Sequence, residues 1–207
     1  GKSTIVNLIC RFYEPTSGHI LIDGKDYKNR SLGWLHANLG YVLQSPHLFS
    51  GSIYDNIKYG NQAATKEEII RASKLVEAHD FIVGFDKGYD TLVGEGGARL
   101  SVGQKQLISF ARALIANPSI LILDEATSSV DTKTEQSIQH AIDTLLEGRT
   151  SFIVAHRLST ITSADRILVL EKGEVIESGT HKELIDKRGK YYTLYTNQFI
   201  EEKNKHM

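Results

Sequence analysis

The apolar run Ile120-Leu121-Ile122-Leu123 ends in two adjacent carboxylates, Asp124 and Glu125. A buried strand that delivers paired acids to its end suits a site for Mg²⁺ and a nucleotide. One carboxylate holds the metal, directly or through water, and the other polarises an attacking water. Two solvated acids on a turn are the plainer alternative. Gly1-Lys2-Ser3-Thr4 matches the end of the phosphate-loop pattern G-x-x-x-x-G-K-[ST]. Backbone N–H groups at a helix N-terminus point at anions, and the helix dipole favours negative charge there. Lys2 adds a point charge for the outer phosphates, and the Ser3 hydroxyl is a hard oxygen ligand for Mg²⁺. The same four residues also fit a surface lysine ahead of a capped helix. Ser101-Val102-Gly103-Gln104 opens another helix: Ser101 is a candidate N-cap, and Gly103 would let backbone approach a phosphate closely. Gln44 follows Tyr41-Val42-Leu43, and His156 follows 152–155. Both thus stand just beyond apolar strands, where open parallel sheets bind their ligands. One chain offers two anion-binding helix starts, more than a single nucleotide needs from one molecule.

The elements that must carry these residues read as mixed α/β. His19-Ile20-Leu21-Ile22 reads as a strand closing on the turn pair Asp23-Gly24. Residues 41–43 form a short strand. Residues 120–123 and 152–154 read as buried strands of a parallel sheet. Residues 167–170 and 174–176 suggest a hairpin turning at Lys172-Gly173. Thr65-x-x-Glu68 is a capping box ahead of Ile69, Ala72 and Val76. Over 101–117, Leu107, Ile108, Ala111, Leu114 and Ile115 share one helical face, and Pro118 stops the helix. A further helix over 137–147 carries Ile138, Ala141, Ile142 and Leu145, and 191–203 forms a last one. Residues 53–99 read as a helical insertion without a strong buried strand.

Composition narrows the function classes. Twenty-four basic and 25 acidic side chains leave a formal net charge of −1, so no nucleic-acid partner drawn by a large basic field is expected. With 41% apolar and 24% charged residues, the 207-residue chain can bury a core and is not globally disordered. No apolar run approaches the roughly 20 residues of a membrane helix. Cys10 stands alone, which excludes an internal disulfide and a cysteine-based zinc site. It lies on an apolar helix and reads as an inert core residue. Phe49, Tyr54 and Ile57 read as packing near Pro46.

Taken in order, these motifs resemble the nucleotide-binding domain of an ATP-binding-cassette (ABC) transporter of the exporter class. Gly1-Lys2-Ser3-Thr4 resembles the end of the Walker A loop, Gln44 the Q-loop, and Leu100-Ser101-Val102-Gly103-Gln104 the signature. Leu121-Ile122-Leu123-Asp124-Glu125 resembles Walker B, Ser128-Ser129-Val130-Asp131 the D-loop, and His156 the switch histidine. Thr91-Leu92-Val93-Gly94-Glu95 resembles the exporter segment ahead of the signature. The resemblance implies a P-loop NTPase core with a mostly parallel sheet and an inserted α-helical subdomain, divided as 1–52 and 113–207 (core) and 53–112 (signature-bearing subdomain). It implies ATP and Mg²⁺ as ligands. Gly1, Lys2, Ser3 and Thr4 would hold the phosphates, and Ser3, Gln44 and Asp124 the metal. Glu125 would be the general base, with His156 and Gln44 as its catalytic companions. Ser101, Gly103 and Gln104 would grip the γ-phosphate of an ATP held by a second domain, and Asp131 would sit at the contact between the two. That sandwich accounts for the two anion-binding helix starts.

The implied partners are a transmembrane domain upstream in the same polypeptide and a second nucleotide-binding domain, as homodimer or heterodimer, at the cytoplasmic face of a membrane. The stretch around Phe49, Tyr54 and Ile57 would then line the groove for a coupling helix. The first core strands and the adenine-stacking aromatic residue are expected upstream of Gly1. Three departures stand out. Val102 replaces the first glycine of the usual Leu-Ser-Gly-Gly-Gln, where a β-branched residue disfavours left-handed backbone and adds bulk. Ser45 follows the Q-loop glutamine in place of an acid. Gly96 stands where exporters commonly have arginine. Alternative readings are a soluble ABC-type ATPase acting on DNA or ribosomes and a cassette that binds nucleotide without hydrolysing it. The absence of a heptad run between Gln44 and Ser101 counts against the DNA-acting kind, and Glu125 with His156 against the second.

Overall fold

The computed structural model describes residues 1–43, 45–124, 132–155 and 158–205. Along the chain come α1 (Lys2–Ile9), β1 (Leu21–Ile22), β2 (Lys25–Asp26), α2 (Leu32–Asn38) and β3 (Leu39–Val42). There follow α3 (Ile53–Lys58), α4 (Lys66–Leu75), α5 (His79–Val83), α6 (Val102–Ala116), β4 (Ile120–Asp124), α7 (Thr132–Leu146) and β5 (Thr150–Val154). The chain closes with α8 (Leu158–Thr162), β6 (Ile167–Glu171), β7 (Glu174–Gly179), α9 (His181–Lys187) and α10 (Lys190–Lys205). They fall into two compact units, one of residues 21–153 and one of 1–20 with 154–207.

The larger unit is built on a three-stranded sheet of order β3-β4-β5. β3 and β4 run parallel, with Leu39 opposite Ile120 and Val42 opposite Leu123. β4 is buried from Ile120 to Leu123, which is why it is apolar at every position. Gly40 is fixed by a close approach, since a Cβ there would stand 2.6 Å from the Pro118 ring. β5 differs from its reading as a buried strand: Phe152 is exposed. It flanks the sheet, with β4 on one side and no further strand on the other among the described residues, so its faces alternate in exposure.

Helices α3 to α7 pack around this sheet through one apolar core that includes Ile53, Ile57, Ile69, Leu107, Ile108, Leu121 and Ile142. The capping box at α4 forms as expected: the Thr65 N–H donates to Glu68 Oε2 at 2.8 Å, and the Glu68 N–H to Thr65 Oγ1 at 3.2 Å. α6 ends at Ala116, two residues before Pro118: Asn117 turns into left-handed backbone (φ 45°) as its C-cap. The 53–99 stretch is helical, as read. Its one extended contact is an antiparallel bridge between Ser52 and Leu92, where the Ile53 N–H donates to the Thr91 carbonyl and the Val93 N–H to the Gly51 carbonyl, each at 3.0 Å. The expected strand at 19–22 is shorter: only Leu21–Ile22 pairs, with Lys25–Asp26, across Asp23-Gly24. Both turn residues have positive φ (50° and 73°), the geometry a two-residue hairpin needs.

In the smaller unit, β6 and β7 form the hairpin read from the sequence, turning at Lys172 (φ 50°) and Gly173 (φ 92°). A bulge falls between Val169 and Leu170. The Glu177 carboxylate on β7 accepts the backbone N–H groups of Lys190 and Tyr191 at 2.8 and 2.9 Å. It thus satisfies the first donors of α10, and those bonds hold it below its usual pKa range. Val169, Leu184 and Tyr191 form the small core.

Candidate functional site

Gly1 caps α1 without a side-chain hydrogen bond, and Lys2, Ser3 and Thr4 occupy its exposed first turn. Their N–H groups have no intrahelical acceptor, so backbone donors, a cationic side chain and two hydroxyls share one accessible helix end. The far end of α1 closes on itself. The Arg11 N–H donates to Leu8 and the Phe12 N–H to Asn7, with Arg11 left-handed at φ 56°. Cys10 at this junction is fully buried, and burial pushes its thiol up to about 11.

The second helix start is α6, in the larger unit. The Ser101 N–H donates to Gln104 Oε1 at 3.0 Å, and the Gln104 N–H donates to Ser101 Oγ at 3.2 Å. This reciprocal box places Ser101 in extended backbone (φ −65°, ψ 163°). Ser101 is exposed. Because its oxygen accepts from Gln104, its own hydroxyl hydrogen remains to donate. Val102 begins the helix, is not among the described residues of positive φ, and is 46% exposed. The left-handed conformation that a valine would resist is therefore not required there. Gly103 is buried on the same turn. Ahead of this helix Gly96 is left-handed (φ 56°) with open space around it.

Asp124 ends β4, half-buried, one residue beyond the Val42–Leu123 pair. Gln44, Glu125, Asp131 and His156 lie outside the described residues, as does the 128–131 stretch.

A third feature falls in the stretch that the resemblance implied as a groove: of Phe49, Tyr54 and Ile57, Phe49 lines one, whereas Ile57 is fully buried in the core. A groove of about 360 Å³ is lined by Phe49, Asp55, Asn56, Lys58, Tyr59 and Gln62, among others. Phe49 and Tyr59 are 41% and 58% exposed, with ring centroids 4.5 Å apart. Beneath them, Asn56 on α3 is 1% exposed and satisfied on both sides of its amide. Nδ2 donates to the Phe49 carbonyl at 2.9 Å and the Ser52 carbonyl at 3.0 Å, while Oδ1 accepts the Phe49 N–H at 2.9 Å and Arg112 Nη2 at 2.8 Å. Arg112 on α6 also donates through Nε to the Asn56 carbonyl (2.8 Å) and through Nη1 to the His47 carbonyl (3.1 Å). Its guanidinium lies 5.0 Å from the Phe49 ring and 5.9 Å from the Tyr59 ring. Burial pulls its pKa below the usual arginine value, against the opposing influence of Tyr59. The buried amide beneath it was not read; its signal was an asparagine set between Ile53 and Ile57 on α3, since a polar residue there must find partners.

A family model described as ABC transporter matches residues 1–128. The ATP-dependent lipid A-core flippase of Syntrophus aciditrophicus (strain SB) is 53% identical over 203 residues, covering 98% of this chain and 34% of that protein. A Staphylococcus aureus (strain NCTC 8325 / PS 47) protein, provisionally named a multidrug export ATP-binding/permease protein, is 54% identical over 198 residues, covering 96% and 34%. Among solved structures, a bacterial Atm1-family ABC exporter with ATP bound superposes with a TM-score of 0.88 at 45% identity, over 96% of this chain and 35% of that one. The chain thus spans about a third of the length of the relatives it matches. With the family model covering well over half of its residues and these relatives 53% and 54% identical over nearly all of it, this chain belongs to the ABC transporter family.

Proposed function

We propose that the chain is an ATP-hydrolysing cassette that powers export across a membrane, two cassettes enclosing two ATP molecules between them. The observation that carries this reading is the Ser101 box: an exposed hydroxyl with its hydrogen to donate, on a helix whose first N–H groups lack intrahelical acceptors. Such a helix end is built for an anion, and α1 offers a second. In the proposed pair, Gly1, Lys2, Ser3 and Thr4 of one copy hold the phosphates of an ATP. Ser101 and Gly103 of the other copy close on its γ-phosphate, with Gln104 beside them and Asp131 at the contact. Glu125 takes the proton of the water that attacks the γ-phosphorus as the bond to the bridging oxygen breaks. His156 donates to the γ-phosphate oxygens, and Gln44 orients the water. Positioning and charge stabilisation do most of this work. Ser3, Gln44 and Asp124 offer hard oxygen donors, and the half-buried Asp124 carboxylate at a strand end fits Mg²⁺, which when bound neutralises phosphate charge.

The division into an α/β core (1–52 and 113–207) and a helical subdomain (53–112) belongs to the same proposal. So does a transmembrane domain in the same polypeptide, with the cassette at the cytoplasmic face. The ATP-binding/permease name of the staphylococcal relative supports that arrangement, as does the aromatic groove, which would receive a coupling helix. No helix among the described residues is long and apolar enough to cross a membrane. Glu125→Gln in the intact polypeptide is expected to trap an ATP-bound dimer, visible by size-exclusion chromatography with bound ATP. Undiminished turnover in that variant removes Glu125 from the role of base.

A further inference from the structure

Arg149 stands where four elements of the larger unit begin or end. Its Nε donates to the Pro118 carbonyl at 3.1 Å, just ahead of β4, and its Nη2 to Asn117 Oδ1 at 2.9 Å, at the C-cap of α6. Its Nη1 donates to the Leu145 carbonyl at 2.7 Å and the Glu147 carbonyl at 3.3 Å, in the last turn of α7 and just past it. The next residue, Thr150, opens β5 and donates its N–H to the Ser119 carbonyl at 3.2 Å. A cation suits the carbonyl-rich end of a helix, and a planar guanidinium reaches several acceptors at fixed angles.

The far ends of the same elements carry the proposed site. α6 starts from the Ser101 cap, and β4 ends at Asp124. In the sequence, Glu125 follows β4, Asp131 directly precedes α7, and His156 stands two residues past β5. α6 and α7 meet through apolar side chains, with Leu107, Ile108 and Ala111 in one core with Ile138, Ile142 and Leu145. Such burial is non-directional, whereas the bonds of Arg149 are directional and fix how α6 leaves the start of β4. α6 has 15 residues, which places Ser101 about 22 Å from that anchor, so a tilt of about 3° would shift it by about 1 Å. A misplacement of about 1 Å can cost up to about a hundredfold in rate. In a head-to-tail pair each copy gives its Asp124 to one ATP and its Ser101 to the other. The separation of those two residues within one copy thus decides whether both ATP molecules can be enclosed together.

We propose that Arg149 is a positioning residue for ATP hydrolysis: by tying the end of α6 to the start of β4 and the end of α7, it sets the spacing between Ser101 and Asp124 that the enclosed pair requires. It acts through these elements from their opposite ends. The inference rests on the proposed function and deepens it.

The test uses the full polypeptide that carries this chain, reconstituted in phospholipid vesicles, with ATP turnover and MgADP binding measured side by side. MgADP lacks the phosphate that Ser101 would meet, and α1 belongs to the other unit, so MgADP binding counts the folded sites. Arg149→Met is expected to lower kcat per MgADP site about tenfold with KM for ATP within about twofold, the pattern of a loss felt in the transition state. Unchanged turnover per remaining MgADP site overturns the proposal, because a merely structural role removes sites without slowing those that survive. Arg149→Lys keeps the charge but not the fork, and it is expected to stay at least about threefold below the parent; full turnover with lysine overturns the proposal. If Arg149→Met is not recovered from membranes, Asn117→Gly takes its place. Glycine keeps the left-handed C-cap of α6 and removes one acceptor of the guanidinium. A loss of about threefold in kcat with MgADP binding intact supports the proposal, and parental turnover overturns it. Ser101→Ala separates the two levels. Unchanged turnover in that variant sinks the reading of Ser101, whereas a Ser101 effect with no Arg149 effect sinks only the positioning role.

Discussion

Asn56→Ala should be among the costliest single changes in the larger unit. The amide makes four hydrogen bonds from a site that is 1% exposed. One is backed up, since the Ser52 carbonyl also accepts the Asn56 backbone N–H at 3.1 Å, a bond that alanine retains. Three groups are left without their partner: the Phe49 N–H, the Phe49 carbonyl and one Arg112 N–H. A buried polar group that loses its partner costs about 1–3 kcal/mol, and the groove lets water reach some of these three, so the sum is about 3–5 kcal/mol. For a chain of this size that lowers the melting temperature on the order of 10 °C. Asn56→Asp keeps an acceptor for Phe49 and Arg112 and loses only the two donations, so it should fall between alanine and the parent. Thermal and urea unfolding of the purified chain followed by circular dichroism measures both. A loss below about 1 kcal/mol for alanine would mean that water already satisfies this network, and Arg112 would then not be rigidly held.

Two further outcomes follow from local geometry. Val102→Gly should destabilise slightly, by about 0.5 kcal/mol, because glycine is the poorer helix former and no positive φ is relieved; a melting temperature that rises instead would reveal strain at residue 102. Cys10, buried with its thiol raised to about 11, is protonated in the folded chain well above the pH at which the unfolded thiol ionises. Its contribution to stability is thus complete at neutral pH and declines as pH rises from about 9 towards 11. Cys10→Ala should flatten that decline in urea titrations, and an unchanged slope would assign it to other groups.

Where the sequence could be read, the determinants were local. A threonine and a glutamate three residues apart need only each other to cap α4, and Lys172-Gly173 needs only its own backbone to turn a hairpin. Ser101 and Gln104 belong to the same class, so the cap at the signature was legible before any tertiary structure. What escaped was non-local. The burial expected of β5 depends on what lies beside it, and Phe152 turned out exposed. His19 and Ile20 have aromatic or apolar side chains but no strand across from them among the described residues, and the pairing stops at Leu21. The Asn56–Arg112 contact spans 56 residues, and nothing in a helical repeat distinguishes this arginine from a solvated one. Its value comes from carbonyls and rings supplied by a segment far upstream.

The departure from the usual signature is explained by the same first turn. An anion at a helix N-terminus is met by backbone N–H groups, which valine supplies as well as glycine does. The side chain matters only for where it must go. At residue 102 it goes towards solvent, since Val102 is 46% exposed and right-handed. Gly103, one residue on, is buried. A bulky residue is therefore compatible with the first position, and the Ser101–Gln104 box that orients the hydroxyl runs past Val102 without using its side chain. On this geometry the valine leaves the donors in place and adds apolar bulk at the rim where the γ-phosphate would arrive. Under the proposed pairing, its effect would fall on how closely a second cassette can approach, and not on whether the helix can present its N–H groups.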